Sequence, residues 1–138
     1  MILSGYAAPF AQTAWLEDGA EYIAHGAFDG MLAAGVFLNV RDHDAPRIAD
    51  NLMLFCDSYG LGFRANVPDE VWSDIKGFVC RKGGVGASID MAEFERVPSR
   101  INGHSARAVV RATINHITIT DSPAYRGTGV WPSAINGP

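Results

Sequence analysis

The chain has 138 residues, of which 48% are hydrophobic and 19% charged, and its formal net charge is −4. This length suits one domain with its own core, so we expect a single domain over residues 1–138 whose turn-rich end, residues 131–138, can fray. The acidic balance, without a run of Lys and Arg, argues against direct binding to nucleic acid. No apolar run approaches the roughly 20 residues that cross a bilayer, and no export signal is present, so we predict a cytosolic protein without membrane association.

The first third of the chain predicts strands that carry a histidine to a strand end. Residues 2–8 are typical of a first strand, and another apolar segment lies near Tyr22. A short helix is predicted around residues 26–34. Residues 36–40 then form a β-rich run, and His43 follows at the point where that strand must end.

The middle of the chain predicts a hairpin followed by a helix. Residues 51–55 and 61–67 are apolar or alternating runs, and the four hydrophilic residues between them favour a tight turn. Pro68 suits the first position of a helix, which the glycine pair Gly83-Gly84 is expected to end. Apolar residues recur there at helical spacing and predict one stripe packed against a sheet: Val71, Ile75, Phe78 and Val79.

The last third predicts four more strand segments. Residues 85–91 alternate so that Ser88 lies on the less apolar face. Residues 94–97 and 106–112 are expected to pair across a loop that contains Asn102-Gly103, a dipeptide that favours a turn with positive φ. Residues 114–120 form the last strand and place His116, Thr118 and Thr120 on one face.

About seven strands and one substantial helix indicate an α+β or mainly β fold. We expect a small closed or partly closed β-barrel with a few flanking helices, since closure removes exposed sheet edges. Cys56 and Cys80 show no C-x-x-C spacing, so we predict two reduced core cysteines rather than a redox or zinc site. No cofactor is expected.

Three distant side chains suggest a hydrolytic centre: Ser88, His43 and His116. A serine hydroxyl is a weak nucleophile until a base takes its proton, and histidine is suited to this because its pKa lies near neutral pH. A third group must orient that histidine, and a second neutral imidazole can accept its N–H. We therefore hypothesise a serine peptidase with Ser88 as nucleophile, His43 as base and His116 as the orienting residue.

Other residues compete for these roles. Each candidate taken alone is more often an ordinary strand or turn residue than a catalytic one. His25 and His104 are alternative histidines, but both lie in segments expected to be exposed. The backbone or an arginine can serve as the oxyanion hole, and the sequence selects no donor. The open candidates are Asp44, Asp90 and Asp121 as orienting groups, and Arg107 and Arg111 as oxyanion donors.

Six short motifs in a fixed order resemble the landmarks of the tailed-phage prohead maturation protease family. They extend over residues 3–130, nearly the whole chain, and the ordered set is more specific than any one motif. The motifs are Gly5-Tyr6-Ala7-Ala8-Pro9-Phe10, Gly26-Ala27-Phe28, Asp42-His43-Asp44, Gly60-Leu61-Gly62-Phe63, Gly86-Ala87-Ser88-Ile89 and Ile117-Thr118-Ile119-Thr120-Asp121-Ser122-Pro123-Ala124-Tyr125.

The resemblance implies an assemblin-like barrel, similar to the herpesvirus assembly proteases, whose triad runs His, Ser, His along the chain. It assigns the base to His43 and the nucleophile to Ser88. Many members of the phage family have an acidic residue where this chain has His116, so the third position departs from the phage pattern towards the herpesvirus one.

The resemblance also implies the setting. The expected substrates are scaffold protein and the scaffold-like arm of the major capsid protein, cut inside the immature phage capsid in the host cytoplasm. Because the herpesvirus relatives are activated by dimerisation, a homodimer is compatible with it.

Two other functions fit the same sequence. A catalytically silent assemblin-like barrel that acts as a structural or scaffold-associated assembly protein explains the fold pattern and the acidic charge equally well. A metal-dependent hydrolase that uses His43, Asp44 and His116 is a weaker alternative, since these residues show no recognised metal spacing. The sequence favours the peptidase.

Overall fold

The computed structural model describes residues 1–31 and 33–133 of the chain. This part contains nine strands and one helix. In chain order they are β1 (Ile2–Pro9), β2 (Ala14–Leu16), β3 (Gly19–Ile23), β4 (Phe37–Val40), β5 (Met53–Cys56), β6 (Gly60–Asn66), α1 (Asp69–Val79), β7 (Gly86–Ile101), β8 (His104–Thr120) and β9 (Gly129–Pro132).

The strands form two sheets. The four-stranded sheet has the order β5-β6-β1-β9 and is antiparallel throughout, including the predicted β5–β6 hairpin. In the five-stranded sheet, β8 pairs with β7 along one edge and with β3 and β4 along the other, and both β3 and β4 run parallel to β8. An antiparallel bridge between Val85 and Val130 links the two sheets.

The long β7–β8 hairpin merges segments that the sequence predicts as separate strands. Residues 85–91 and 94–97 belong to one strand, as do residues 106–112 and 114–120, because no glycine or proline breaks the pattern between them. Three register shifts within residues 90–96 let β7 bend and still pair with β8. Asn102 and Gly103 have φ values of 49° and 83° and make the predicted turn.

The predicted seven-stranded barrel is not confirmed. The five-stranded sheet is a curled half-barrel that is not clearly closed, because two short parallel strands occupy one edge of β8 where a closed meander would need a full partner. The mainly β character and the single substantial helix are confirmed for the described residues.

Helix α1 follows its predicted stripe, with Ile75 and Val79 buried and Val71 and Phe78 half-buried. It begins at Asp69, one residue after Pro68, and ends at Val79, before the glycine pair. Its 11 residues are too few to span a bilayer, and the described part of the chain has no helix that is long and apolar enough to do so.

Two further expectations need correction. Described residues in the range 26–34 form turns rather than a helix, because backbone bonds such as Ala27 N–H to Ala24 O close single turns only. Cys56 and Cys80 are unpaired as predicted, but both are exposed, since β5 is an edge strand and Cys80 follows the helix end. In the segment 131–138, Trp131 and Pro132 belong to β9, and residues 134–138 lie outside the described part.

The core that supports β8 is apolar and shared between the two sheets. Ile117 and Ile119 of β8 are fully buried and belong to the same cluster as Leu3 of β1, Phe63 of β6 and Leu38 of β4. The opposite face of the same part of β8 carries His116, Thr118 and Thr120, so the core fixes the position of a polar surface.

Ile117→Ala should lower the free energy of unfolding by about 2–5 kcal/mol, because it leaves a cavity in this shared core. Trp15→Ala, at an exposed position of β2, is the control and should change it by no more than about 0.5 kcal/mol. Chemical denaturation monitored by circular dichroism measures both. Equal effects would contradict the assignment of the core.

Candidate active site

Strand register brings the polar residues of three strands into two adjacent rows. Ser88 of β7 lies opposite Thr118 of β8, and Thr118 lies opposite Asn39 of β4. Two residues earlier in β8, His116 lies between Asp90 of β7 and Phe37 of β4. Because residues two apart share a face of a strand, both rows face the same side of the sheet.

The loop after β4 returns over these rows and delivers His43. Arg41 adopts a φ of 79° and its N–H donates to Ile119 O at 2.8 Å, which turns the chain sharply at the strand end. Asn39 holds the loop from below, since its Nδ2 donates to the main-chain oxygens of His43 and Ala45, both at 3.1 Å. Asp42 Oδ1 accepts the N–H of Asp44 at 2.8 Å.

The three predicted catalytic side chains are brought together. His43 Nε2 lies 3.3 Å from Ser88 Oγ, and His43 Nδ1 lies 2.8 Å from His116 Nε2. The Ser88 contact is slightly longer than an ideal hydrogen bond, as is common for catalytic pairs without bound substrate. Ser88 is half-buried and His43 exposed, so solvent and a substrate can reach both.

His116 is held from three sides at the buried end of this row. Phe37 stacks on its ring with centroids 4.8 Å apart, and only 7% of the residue is exposed. Its Nδ1 lies 3.6 Å from Asp90 Oδ2, just beyond a direct hydrogen bond. Burial lowers the pKa of His116 below its ordinary value and outweighs the opposing effect of Asp90, while nearby His43 lowers the pKa further. His116 is therefore neutral at neutral pH and can accept a hydrogen bond.

Two buried polar residues, Asn39 and Thr118, contact His43 and were not among the residues predicted for the site. Thr118 Oγ1 lies 2.8 Å from His43 Nδ1 and donates to Asn39 Oδ1. Asn39 is 0% and Thr118 1% exposed. The signals were present in the sequence: Thr118 shares the predicted face of His116, and Asn39 is a single amide in an apolar strand.

The alternative candidates lie elsewhere or have other partners. His25 and His104 are exposed and outside the site, as predicted. Asp121 forms an ion pair with Arg81 at 3.1 Å. Asp44 does not hydrogen-bond to His43, and Asp90 faces His116 rather than the proposed base.

The two arginines considered for the oxyanion hole lie far along β8 from the row of Ser88. Arg111 and Arg107 are 7 and 11 residues from Thr118, which corresponds to about 23 Å and about 36 Å along an extended strand. Arg107 pairs with Asp18 at 2.7 Å and Arg111 lies 3.6 Å from Glu95. Neither guanidinium can reach a carbonyl at Ser88.

Gly86 allows close packing next to the strand that carries Ser88. A Cβ at Gly86 would lie 2.5 Å from Thr128 Oγ1 and 2.7 Å from the Pro123 ring. Thr128 Oγ1 also accepts the N–H of Ala87 at 3.1 Å. Gly86 therefore lets the segment after β8 pack against the strand that carries Ser88.

The family model described as Caudovirus prohead serine protease matches residues 1–136 of the chain. The chain belongs to this family. Membership confirms the predicted family and supports a protease role in prohead maturation. No curated protein and no solved structure matches the chain.

Within residues 1–31 and 33–133, no group of three or more His, Cys, Asp or Glu side chains is arranged to hold a metal ion. The closest approach of His43 and His116 is the direct contact of their ring nitrogens. The row of Ser88, His43 and His116 can pass a proton between a hydroxyl and an imidazole, which is the chemistry of a serine hydrolase.

The lowered pKa of His116 predicts a pH-dependent stability. The unfolded chain binds this proton near the ordinary value of 6.5 and the folded chain only at lower pH, so the free energy of unfolding should fall as pH drops below 6.5. Chemical denaturation between pH 8 and pH 5 should show a smaller loss for His116→Gln than for the wild type. His104→Gln, which removes an exposed histidine, is the matched control. An equal fall of the free energy of unfolding with pH in the wild type and in His116→Gln would contradict the lowered pKa of His116.

Proposed function

We propose that the protein is a serine endopeptidase that cleaves scaffold protein or the scaffold-like arm of the major capsid protein during prohead maturation. Ser88 is the nucleophile, His43 the general base and His116 the residue that orients His43. The observation that carries the proposal is the continuous row from Ser88 Oγ through both imidazole rings, in a chain of the prohead serine protease family.

The proposed reaction uses only groups of this row. As Ser88 Oγ bonds to the scissile carbonyl carbon, His43 Nε2 takes the hydroxyl proton. The C–N bond then breaks, and His43 returns the proton to the leaving amine, which leaves an acyl ester on Ser88. A water molecule attacks this ester and gives one proton to His43, which restores the Ser88 hydroxyl as the acid product departs.

His116 stabilises the charged form of His43 less than a carboxylate would. A neutral imidazole accepts the Nδ1–H of His43 and fixes its orientation, but it carries no charge to stabilise the imidazolium that forms during attack. A modest rate per site is sufficient when the substrate is held at high local concentration by co-assembly. This fits a protease that acts inside an immature capsid in the host cytoplasm. A homodimer and the absence of nucleic-acid and membrane partners stay predictions.

Ser88→Ala should lower the rate of cleavage of the cognate capsid or scaffold protein by at least about 10³-fold and leave the fold intact, because the nucleophile is removed. Ser105→Ala, in the exposed end of the hairpin, is the control and should cleave normally. Cleavage is followed by gel electrophoresis and mass spectrometry of the products. Equal cutting by Ser88→Ala and the wild type would exclude Ser88 as the nucleophile, and no cutting by either would favour a silent assembly protein.

His116→Ala should reduce turnover strongly, by roughly 10²–10⁴-fold, because His43 loses the acceptor that orients it. His116→Glu should retain more activity than His116→Ala, since a carboxylate accepts the same N–H. Steady-state kinetics on the same substrate compare the two variants. Unchanged rates in both would remove His116 from the mechanism.

A further inference from the structure

When two imidazole rings are in contact, the direction of the hydrogen bond between them is not fixed, whereas a carboxylate in place of one ring would fix it. A carboxylate only accepts, so it forces the base to carry its proton on Nδ1. In the pair of His43 and His116, either ring can donate across the 2.8 Å contact. If His116 Nε2 donates to His43 Nδ1, the single N–H of the neutral His43 ring lies on Nε2, and that nitrogen cannot take a proton from Ser88. A Ser-His-His row therefore needs something that sets the direction of the bond between the rings.

Asn39 fixes the first hydrogen-bond direction in this network. Its Nδ2 donates to two main-chain oxygens, those of His43 and Ala45, which uses both amide hydrogens. The amide oxygen consequently faces the other way, towards Thr118 Oγ1. Because an amide oxygen only accepts, the single hydroxyl hydrogen of Thr118 is committed to Asn39.

Thr118 transmits this constraint to the base. With its hydrogen committed, Thr118 Oγ1 offers only lone pairs to His43 Nδ1, at 2.8 Å. That contact is favourable only if Nδ1 carries the hydrogen. The N–H of His43 is then shared between Thr118 Oγ1 and His116 Nε2, and His43 Nε2 is left bare towards Ser88 Oγ. Asn39 and Thr118 are almost fully buried, so water does not offer a competing partner.

Asp90, next to the other ring nitrogen of His116, favours the same direction of the hydrogen bond between the two rings. Its carboxylate lies 3.6 Å from Nδ1 of His116, which favours a hydrogen on that nitrogen and leaves Nε2 of His116 as an acceptor. Asn115 Nδ2 donates to the same Asp90 oxygen at 2.9 Å and helps to keep it there.

We propose that Thr118, held by Asn39, is the positioning residue that sets the tautomer of His43 and so makes Nε2 the proton acceptor for Ser88. The proposal rests on the proposed function only for its catalytic consequence, because the tautomer is a property of the folded chain. Asn39 and Thr118 are almost fully buried, so neither is placed to touch a substrate.

The tautomer can be measured without any substrate. In the full chain labelled with ¹⁵N-histidine, long-range ¹H–¹⁵N correlation at pH 8 distinguishes a protonated from a bare ring nitrogen. The wild type should show His43 protonated on Nδ1 and bare on Nε2. Thr118→Val has nearly the same shape but no lone pair, and should shift His43 towards the Nε2–H form. Thr118→Ser keeps the hydroxyl and should restore the wild-type signals.

Kinetics give the second readout. Thr118→Val should lower kcat for the capsid or scaffold substrate by roughly 10–100-fold with KM unchanged, and Thr118→Ser should recover most of the rate. A purely structural role would reduce the folded fraction without changing the tautomer of the folded molecules.

The two proposals fail separately. Nε2–H on His43 in the wild type, or the wild-type tautomer retained in Thr118→Val, would overturn the role of Thr118 whether or not the chain is a protease. If Thr118→Val does not fold, the wild-type and Thr118→Ser spectra still decide, since both must show Nδ1–H. Normal cleavage by Ser88→Ala would overturn the proposed function and leave the tautomer result intact.

Discussion

The register of three strands is the constraint on which the site depends. Strand β8 pairs with β7 on one edge and with the short parallel strand β4 on the other, and this places Ser88, Thr118 and Asn39 side by side. A slip of β8 by one residue would turn Thr118 away from Ser88 and Asn39, to the opposite face of the sheet. The slip is opposed by the buried face of β8, where Ile117 and Ile119 belong to the shared core. Packing on one face thus determines the chemistry on the other.

The loop after β4 contributes His43, the one member of the row that does not lie on a strand. His43 is exposed, yet its main chain is tied to Asn39, and its ring contacts Ser88, His116 and Thr118. Asn39 and Thr118 beneath it are both hydrogen-bonded, as buried polar groups must be in a region of low dielectric constant. The exposed ring of His43 is consequently oriented by residues that are almost fully buried. In the proposed mechanism, this network compensates in part for the lack of a carboxylate next to His43.

Much of this arrangement could be predicted from local sequence. Alternation placed His116 and Thr118 on one face, and Asn102-Gly103 marked the hairpin turn correctly. The pairing of β4 with β8 could not be predicted, because parallel partners 79 residues apart leave no local signal. The role of Asn39 depends on that pairing. The continuity of β7 through its register shifts was missed for a related reason: irregular pairing blurs the two-residue period on which strand prediction relies.

The rate at which Ser88 reacts with a fluorophosphonate tests the central claim most directly, because it needs no natural substrate. In this reaction Ser88 Oγ bonds to phosphorus, fluoride leaves, and His43 takes the hydroxyl proton. We predict that mass spectrometry finds the label on Ser88 of the wild type, and that His43→Gln slows labelling by at least about 10²-fold. Labelling of Ser88 at the same rate in both proteins, or no labelling of Ser88 in the folded wild type, would contradict the account.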